Sequence, residues 1–294
     1  MYFIKKIARM FHKLYLVNNI VVILLGLYFP RTQSLPNKNK ICLLMNGPSL
    51  LEDIEDVDLS KTDLLVVNQF SETELFTQFK PALYVIQDSS FWNSNVDEKH
   101  IKKRNAVYEA LNKKTTWKLK LYFPSFVDLG FVKSKITNKN IQILTYYAGY
   151  LVNNQPYFRS IVKDSRFLFF LWRSGYAAPP PENVIVAATY LPFLLGYKET
   201  FLFGANMSFF KGLEVSQETN EVGIWNEHFY DKEFTVHYKD KQCLNKTTMA
   251  HELEKWGKVF KTFEVLDDFY SKNGFKVYNA GNISYIDAFE RKKL

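Results

Sequence analysis

Two short apolar runs end in asparagine at a turn: Ile41–Met45 leads into Asn46-Gly47-Pro48-Ser49, and Leu64–Val67 leads into Asn68. Runs of this length without alternation read as strands buried on both faces of a parallel sheet. Ligands of such sheets sit beyond the carboxyl ends of the strands, so both asparagines are placed where a nucleotide or nucleotide-sugar would lie. Gly47 permits close backbone approach, Pro48 suits a first helical turn, and free N–H groups there favour a phosphate. The same four residues serve equally as a plain strand-to-helix corner without a ligand.

The residues suited to proton transfer lie later in the chain. Histidine titrates near neutral pH and makes a natural general base. His228 lies in a polar stretch with Tyr230, Asp231, His237 and Tyr238, and His251 opens a late helical pattern. Either histidine also fits an ordinary surface position, and 18 tyrosines offer many without a chemical role. Asp56-Val-Asp58 has the form of a metal-binding Asp-x-Asp, but it follows the first helix inside an acidic run from Glu52. It reads as solvated charge and helix capping. No His/Cys cluster has zinc spacing, and no metal site is expected. The dehydrogenase, P-loop and serine-hydrolase motifs are absent.

These residues need a scaffold, and 294 residues with 47% apolar and 17% aromatic content supply one sizeable core. The formal net charge of +8 is concentrated at the front, around 102–104, around 113–120 and at the end. Nucleic-acid-binding signatures are missing, so nucleic acid is not an expected partner and anionic membrane or anionic substrate is. Cys42 and Cys243 are too few and too far apart for a disulfide scaffold, which fits a reducing cytoplasm.

Residues 1–35 form a basic, then apolar segment whose uninterrupted part, 20–29, is too short to span a bilayer. It is expected to lie on the cytoplasmic face of the inner membrane, or else to pack on the domain or on a partner subunit of a homo-oligomer. Residues 36–294 read as a single α/β domain: strands at 41–45, 63–68, 82–87, 119–123, 141–146, 200–203 and 275–278, with helices at about 48, 71–78, 97–113, 182–195 and 249–273. The aromatic stretch 147–172 shows no clean period. The excursion at about 207–247 follows a strand's carboxyl end and reads as a lid.

The order Asn46-Gly-Pro-Ser-Leu50, Asn68-Gln-Phe70 and Asp88-Ser-Ser-Phe91, followed by Gly196-Tyr-Lys-Glu199 and Gly204-Ala-Asn206, resembles the bacterial sialyltransferases of glycosyltransferase family 42. Strings such as Pro179-Pro-Pro-Glu-Asn183, His228-Phe-Tyr-Asp231 and Ser284–Arg291 are similar to uncharacterised surface-polysaccharide proteins in the group that includes the MptE-like pterin pyrophosphokinases. The resemblance implies a GT-A-like, Rossmann-type, mostly parallel sheet flanked by helices. It implies a metal-independent, inverting transfer of sialic acid or a related sugar from a nucleotide-sugar, CMP-linked in the sialyltransferases, to a glycan or lipid-linked glycan acceptor, with no further cofactor. Asn46, Gly47, Pro48, Ser49, Asn68, Asp88, Ser89, Gly204 and Asn206 would bind the donor, and His251 or His228 would be the base, with Tyr230 near the departing phosphate. Asp88 departs from an asparagine of that family and Asn206 from an acidic residue. A Mg²⁺-dependent pyrophosphokinase-type enzyme and a non-catalytic nucleotide- or glycan-binding module are the alternatives.

Overall fold

A computed structural model describes residues 17–32, 39–151, 165–228, 231–237 and 245–294, with the side chains of 226–234 outside the description. Eight parallel strands form the main sheet: β1 (Lys40–Leu44), β2 (Asp63–Val67), β3 (Leu83–Val85), β4 (Leu119–Pro124), β5 (Ile141–Tyr146), β6 (Glu199–Phe203), β10 (Lys276–Asn279) and β11 (Glu290–Arg291). Their order is β11-β10-β6-β1-β2-β3-β4-β5. The chain starts in the middle at β1, steps outward to β5, then returns to pair β6 on the other side of β1, with Ile41 opposite Thr200. Strand order therefore reverses between β1 and β6, and the loops there splay apart to leave a crevice.

The continuous apolar runs are explained by burial on both faces. Ile41, Leu43 and Met45 face a core with α6 (Ser165–Ser174), α7 (Val184–Leu195) and α8 (Met249–Lys272). Cys42 and Leu44 face the opposite core with α2 (Leu50–Ile54), α4 (Glu98–Lys114) and α5 (Leu129–Lys135). Burial pushes the Cys42 thiol up to about 11, so it behaves as the small hydrophobe expected. Cys243 lies outside the described residues.

Helix ends follow the sequence signals. Asn183 Oδ1 accepts from Ile185 N at 2.8 Å to cap α7, and Gly196 (φ +90°) stops it. Thr248 Oγ1 accepts from His251 N at 3.3 Å to cap α8. The expected helix at 71–78 is shorter: a 3-10 turn, Phe70–Glu72, precedes α3 (Leu75–Phe79). In the aromatic stretch, 152–164 lie outside the described residues and α6 follows.

The excursion after β6 is a second, antiparallel sheet of β7 (Leu213–Val215), β8 (Val222–His228) and β9 (Asp231–Val236). It is held against α8 by ring contacts, among them Phe210 on Phe260, and by an ion pair. Phe209 stacks on Trp256 with centroids 5.8 Å apart, and His237 Nδ1 lies 3.4 Å from the buried Glu252 carboxylate, which also pairs with Lys255. Burial lowers the His237 pKa, with Glu252 opposing.

The helix α1, described over 17–28, packs one side on the domain. Val22 and Ile23 meet the core, Gly26 lies against Tyr147 and Tyr176, and the Tyr147 hydroxyl donates to Val22 O. Its other side leaves Val17, Ile20, Val21, Leu24, Leu25, Leu27 and Tyr28 exposed. Among the described residues no helix is long and apolar enough to cross a membrane.

Candidate functional site

A cavity of about 580 Å³ opens at the reversal between β1 and β6, within the range of small-molecule sites. Its walls come from the carboxyl ends of four strands: Asn46, Gly47 and Pro48 after β1, Asn68 and Gln69 after β2, Gln87, Asp88 and Ser89 after β3, and Gly204–Phe209 after β6. The start of α7 closes one side with Glu182, Asn183 and Val184, while Lys103 of α4 and Phe126 stand on another.

Hydrogen bonds fix most of these groups before any ligand arrives. Asn46 Nδ2 donates to Val67 O at 3.2 Å. Asn68 sits in the left-handed region (φ +47°), a conformation asparagine tolerates, and its Oδ1 accepts from Gln87 N at 3.5 Å. The Tyr84 hydroxyl donates to Asn68 O and accepts from Ser71 N, which anchors the turn from beneath. Gln87 accepts from the buried Tyr146 hydroxyl through Oε1, which directs its NH₂ group away from Tyr146. Asp88 Oδ1 accepts from Ser90 N at 2.9 Å, capping the 3-10 turn Ser89–Phe91. Met207, also on the wall, holds φ +54°; left-handed residues of this kind cluster at ligand sites.

The corner after β1 differs from the expectation of a phosphate cradle. Gly47 N donates to Gly204 O at 2.9 Å, Ser49 N to Asn206 Oδ1 at 3.3 Å and Leu50 N to Gly47 O at 3.1 Å, while Pro48 has no N–H. The close approach that Gly47 permits is to its own protein: a Cβ there would collide with Gly204 O and Asn206 Oδ1. Ser49 is buried and does not line the cavity; its hydroxyl lies 2.8 Å from Asp53 Oδ2 and 3.0 Å from Asn206 Oδ1. The cavity's helical N-terminus is instead that of α7, where Val184 and Ile185 line the wall.

Asp53 is the residue that sequence reasoning missed, since it was grouped with the solvated acidic run. It is 3% exposed. Its Oδ2 accepts from Gly204 N at 2.8 Å and its Oδ1 from Asn282 N at 2.6 Å, joining the ends of β6 and β10 to α2. The signal available was its spacing, four residues after Ser49 and one before the buried Ile54. Asp58 does cap a turn as expected, accepting from Ser60 N at 3.1 Å. The string Ser284–Arg291 is structural as well: Ser284 Oγ donates to Ala205 O and Tyr285 N to Asn206 O, both at 2.9 Å.

Six carboxamides, those of Asn46, Asn68, Gln69, Gln87, Asn183 and Asn206, therefore ring one cavity, and among the described residues Lys103 is the cation on its wall. Amides supply donors and acceptors without charge, which fits the hydroxyls of sugars and the edge of a base. Lys103 and the α7 terminus contribute positive charge to a wall that also carries the Asp88 and Glu182 carboxylates.

The histidines stand elsewhere. His251 is exposed on the first turn of α8 and does not line the cavity. His228 pairs with Asp231 in the β8–β9 ladder, and its side chain is outside the described part. Tyr230 and Tyr238 lie outside the described residues. Among the described residues no group of three His, Cys, Asp or Glu could hold a metal ion.

No protein-family model matches the sequence, and no curated protein matches it. Among solved structures, the chain is similar to the MAf glycosyltransferase of Magnetospirillum magneticum AMB-1, with 14% identity, a TM-score of 0.48 and 90% of this chain covered. It spans 35% of that protein's length. It is also similar to the sialyltransferase CstII of Campylobacter jejuni, solved with the substrate analogue cytidine-5'-monophosphate (16% identity, TM-score 0.40, covering 86% of this chain and 84% of that one). A third is the monofunctional alpha-2,3-sialyltransferase Cst-I of Campylobacter jejuni (11% identity, TM-score 0.38, covering 89% and 82%).

Proposed function

We propose that this chain is a glycosyltransferase that holds a nucleotide-activated sugar in the carboxamide-ringed cavity and passes the sugar, sialic acid or a relative, to a surface glycan or lipid-linked glycan. One observation carries the reading: four of the five strings that resemble the sialyltransferases, those beginning at Asn46, Asn68, Asp88 and Gly204, reach a single cavity where strand order reverses, while Gly196–Glu199 lies at the other end of β6. Asn46, Asn68, Gln87 and Asn206 bind the donor's hydroxyls and base, while Lys103 and the start of α7 take its phosphate. Transfer with inversion moves the acceptor's hydroxyl proton to a base as the nucleotide phosphate leaves. We assign the base to a histidine of the lid, His228, with Tyr230, two residues on in the sequence, assisting departure of the phosphate. His251, whose exposed position is outside the cavity, is the second candidate.

The protein works at the cytoplasmic face of the inner membrane in this reading. The exposed apolar side of α1, preceded by Lys5, Lys6, Arg9 and Lys13, supplies both forces that hold a helix on an anionic surface. A chain starting at residue 36 then leaves the membrane fraction; continued membrane retention refutes that part.

A thermal-shift panel of nucleotides and nucleotide-sugars, each with EDTA and with Mg²⁺, tests the main reading, because a ligand of the folded state raises apparent stability. A shift that survives EDTA supports a metal-independent transferase and identifies the base. A shift confined to Mg²⁺ with a triphosphate favours the pyrophosphokinase-type alternative, in which Asp88 would face the metal–phosphate. Turnover lost in His228→Ala, with donor binding kept, separates an enzyme from a binding module.

A further inference from the structure

A second cavity, of about 520 Å³, adjoins the first and shares Asn46 and Gln69 with it. Its remaining wall is built from the start of α2, the end of the 3-10 turn Phe70–Glu72 and the start of α3. Leu51 of α2 and Leu75 of α3 provide apolar surface, and Glu72 and Glu74 provide carboxylates. Leu51 is half exposed, so its side chain is accessible to a ligand in this cavity.

Glu72 is the group that links the two cavities electrically. It is exposed at the surface, yet partial desolvation raises its carboxyl above the ordinary range, with Lys103 of the first cavity and Lys114 opposing. Lys114 Nζ is fixed beneath it by the carbonyls of Ser71 and Glu72, at 3.0 and 2.9 Å. Among the described residues no cation lines the second cavity itself.

We infer that the second cavity is the acceptor subsite and that it takes a neutral glycan. The inference rests on the glycosyltransferase reading. An acceptor hydroxyl must come within about 3–3.5 Å of the donor's reacting carbon, so its site has to share a wall with the donor site. Asn46 and Gln69 are that wall. A pyranose has apolar C–H faces and donating hydroxyls; Leu51 and Leu75 match the first, and the Glu72 and Glu74 carboxylates accept from the second. An acceptor that ends in a carboxylate would meet two like charges that Lys103 and Lys114 offset only from outside this wall, which selects against it.

Methyl NMR on the intact chain, with labelled leucine and methionine, reads both cavities at once. Leu51 and Leu75 report the second, and Met45 and Met207 report the first. A panel of neutral oligosaccharides at tens of millimolar (lactose, maltose and N-acetyllactosamine) is expected to shift the leucine methyls with at least one member, and sialyllactose to do so far less. Glu72→Gln removes an exposed charge without changing shape, so the fold is kept, and it weakens that sugar about tenfold, as losing a charged acceptor does. Leu51→Glu at an exposed position abolishes the Leu75 shift. Absence of leucine shifts with every neutral sugar, or equal shifts with sialyllactose, overturns the inference. Nucleotide-induced shifts at Met45 and Met207 report the donor reading separately, so failure of either is told from failure of the other.

Discussion

Replacing Asp53 tests how the site is assembled. Its carboxylate accepts from Gly204 N at 2.8 Å, Asn282 N at 2.6 Å and the Ser49 hydroxyl at 2.8 Å, at 3% exposure. A hydrogen bond to a charged group contributes about 1.5–3 kcal/mol net, and a buried N–H left without an acceptor costs about 1–3 kcal/mol. Asp53→Ala strands two backbone donors, and water entering the vacated space recovers part of the loss, so about 3–5 kcal/mol is expected. Asp53→Asn keeps one acceptor oxygen and turns an NH₂ group on the other donors, for about 2–3 kcal/mol. Urea unfolding measures this as a lowered midpoint at constant slope. Asp56→Asn, an exposed neighbour in the same acidic run, is the control and stays within about 0.5 kcal/mol. The turn after β6 carries Asn206 into the cavity, so nucleotide affinity falls in both Asp53 variants. A loss below about 1 kcal/mol in Asp53→Ala, with nucleotide binding intact, refutes the role of this carboxylate as the tie of the β6 and β10 ends to α2.

Gly47→Ala places a methyl against Gly204 O and Asn206 Oδ1 and costs about 1–3 kcal/mol by overpacking, read as a lower thermal midpoint. Lys103→Met weakens binding of a nucleoside monophosphate by about tenfold while leaving the nucleoside alone unchanged, which isothermal titration separates. Stability depends on pH through His237 and Glu252. Burial holds the folded His237 pKa below 6.5, so as pH falls from 6.5 towards that lower value the unfolded chain binds a proton that the folded chain refuses, and stability drops. Burial works against the Glu252 charge, but Lys255, Thr247 and His237 bring its pKa below 4.5, so its contribution is present above 4.5 and is lost as pH falls through the folded value. His237→Gln flattens the first decline and leaves the second, as measured by urea midpoints from pH 8 to pH 4; unchanged slopes refute it.

The main sheet was legible because parallel strands covered on both faces must be apolar at every position. Lys40–Leu44, Asp63–Val67 and Glu199–Phe203 fall within about a residue of their sequence boundaries for that reason. The cavity was legible through the asparagines and glycines at strand ends. The antiparallel sheet of the excursion was not, because its first strand has three residues, none buried, and leaves little periodic signal. The edge strand Glu290–Arg291, two exposed residues, leaves none. Asp53 and Ser49 were misplaced because burial of a polar side chain depends on partners 150 residues away, at Gly204 and Asn206, that local pattern cannot reveal.

The central position of β1 also orders events in time. One of its neighbours, β2, follows at once, whereas the other, β6, joins only when Thr200 reaches Ile41. A chain leaving the ribosome can zip β1 to β5 while β1 still presents an open backbone edge along a strand apolar from Ile41 to Leu44, the kind of edge that captures other chains. Long-range pairing of this sort forms slowly because the intervening loop must first be closed. The ligand cavity needs both sides of that seam, so competence to bind should appear abruptly and last, together with escape from aggregation.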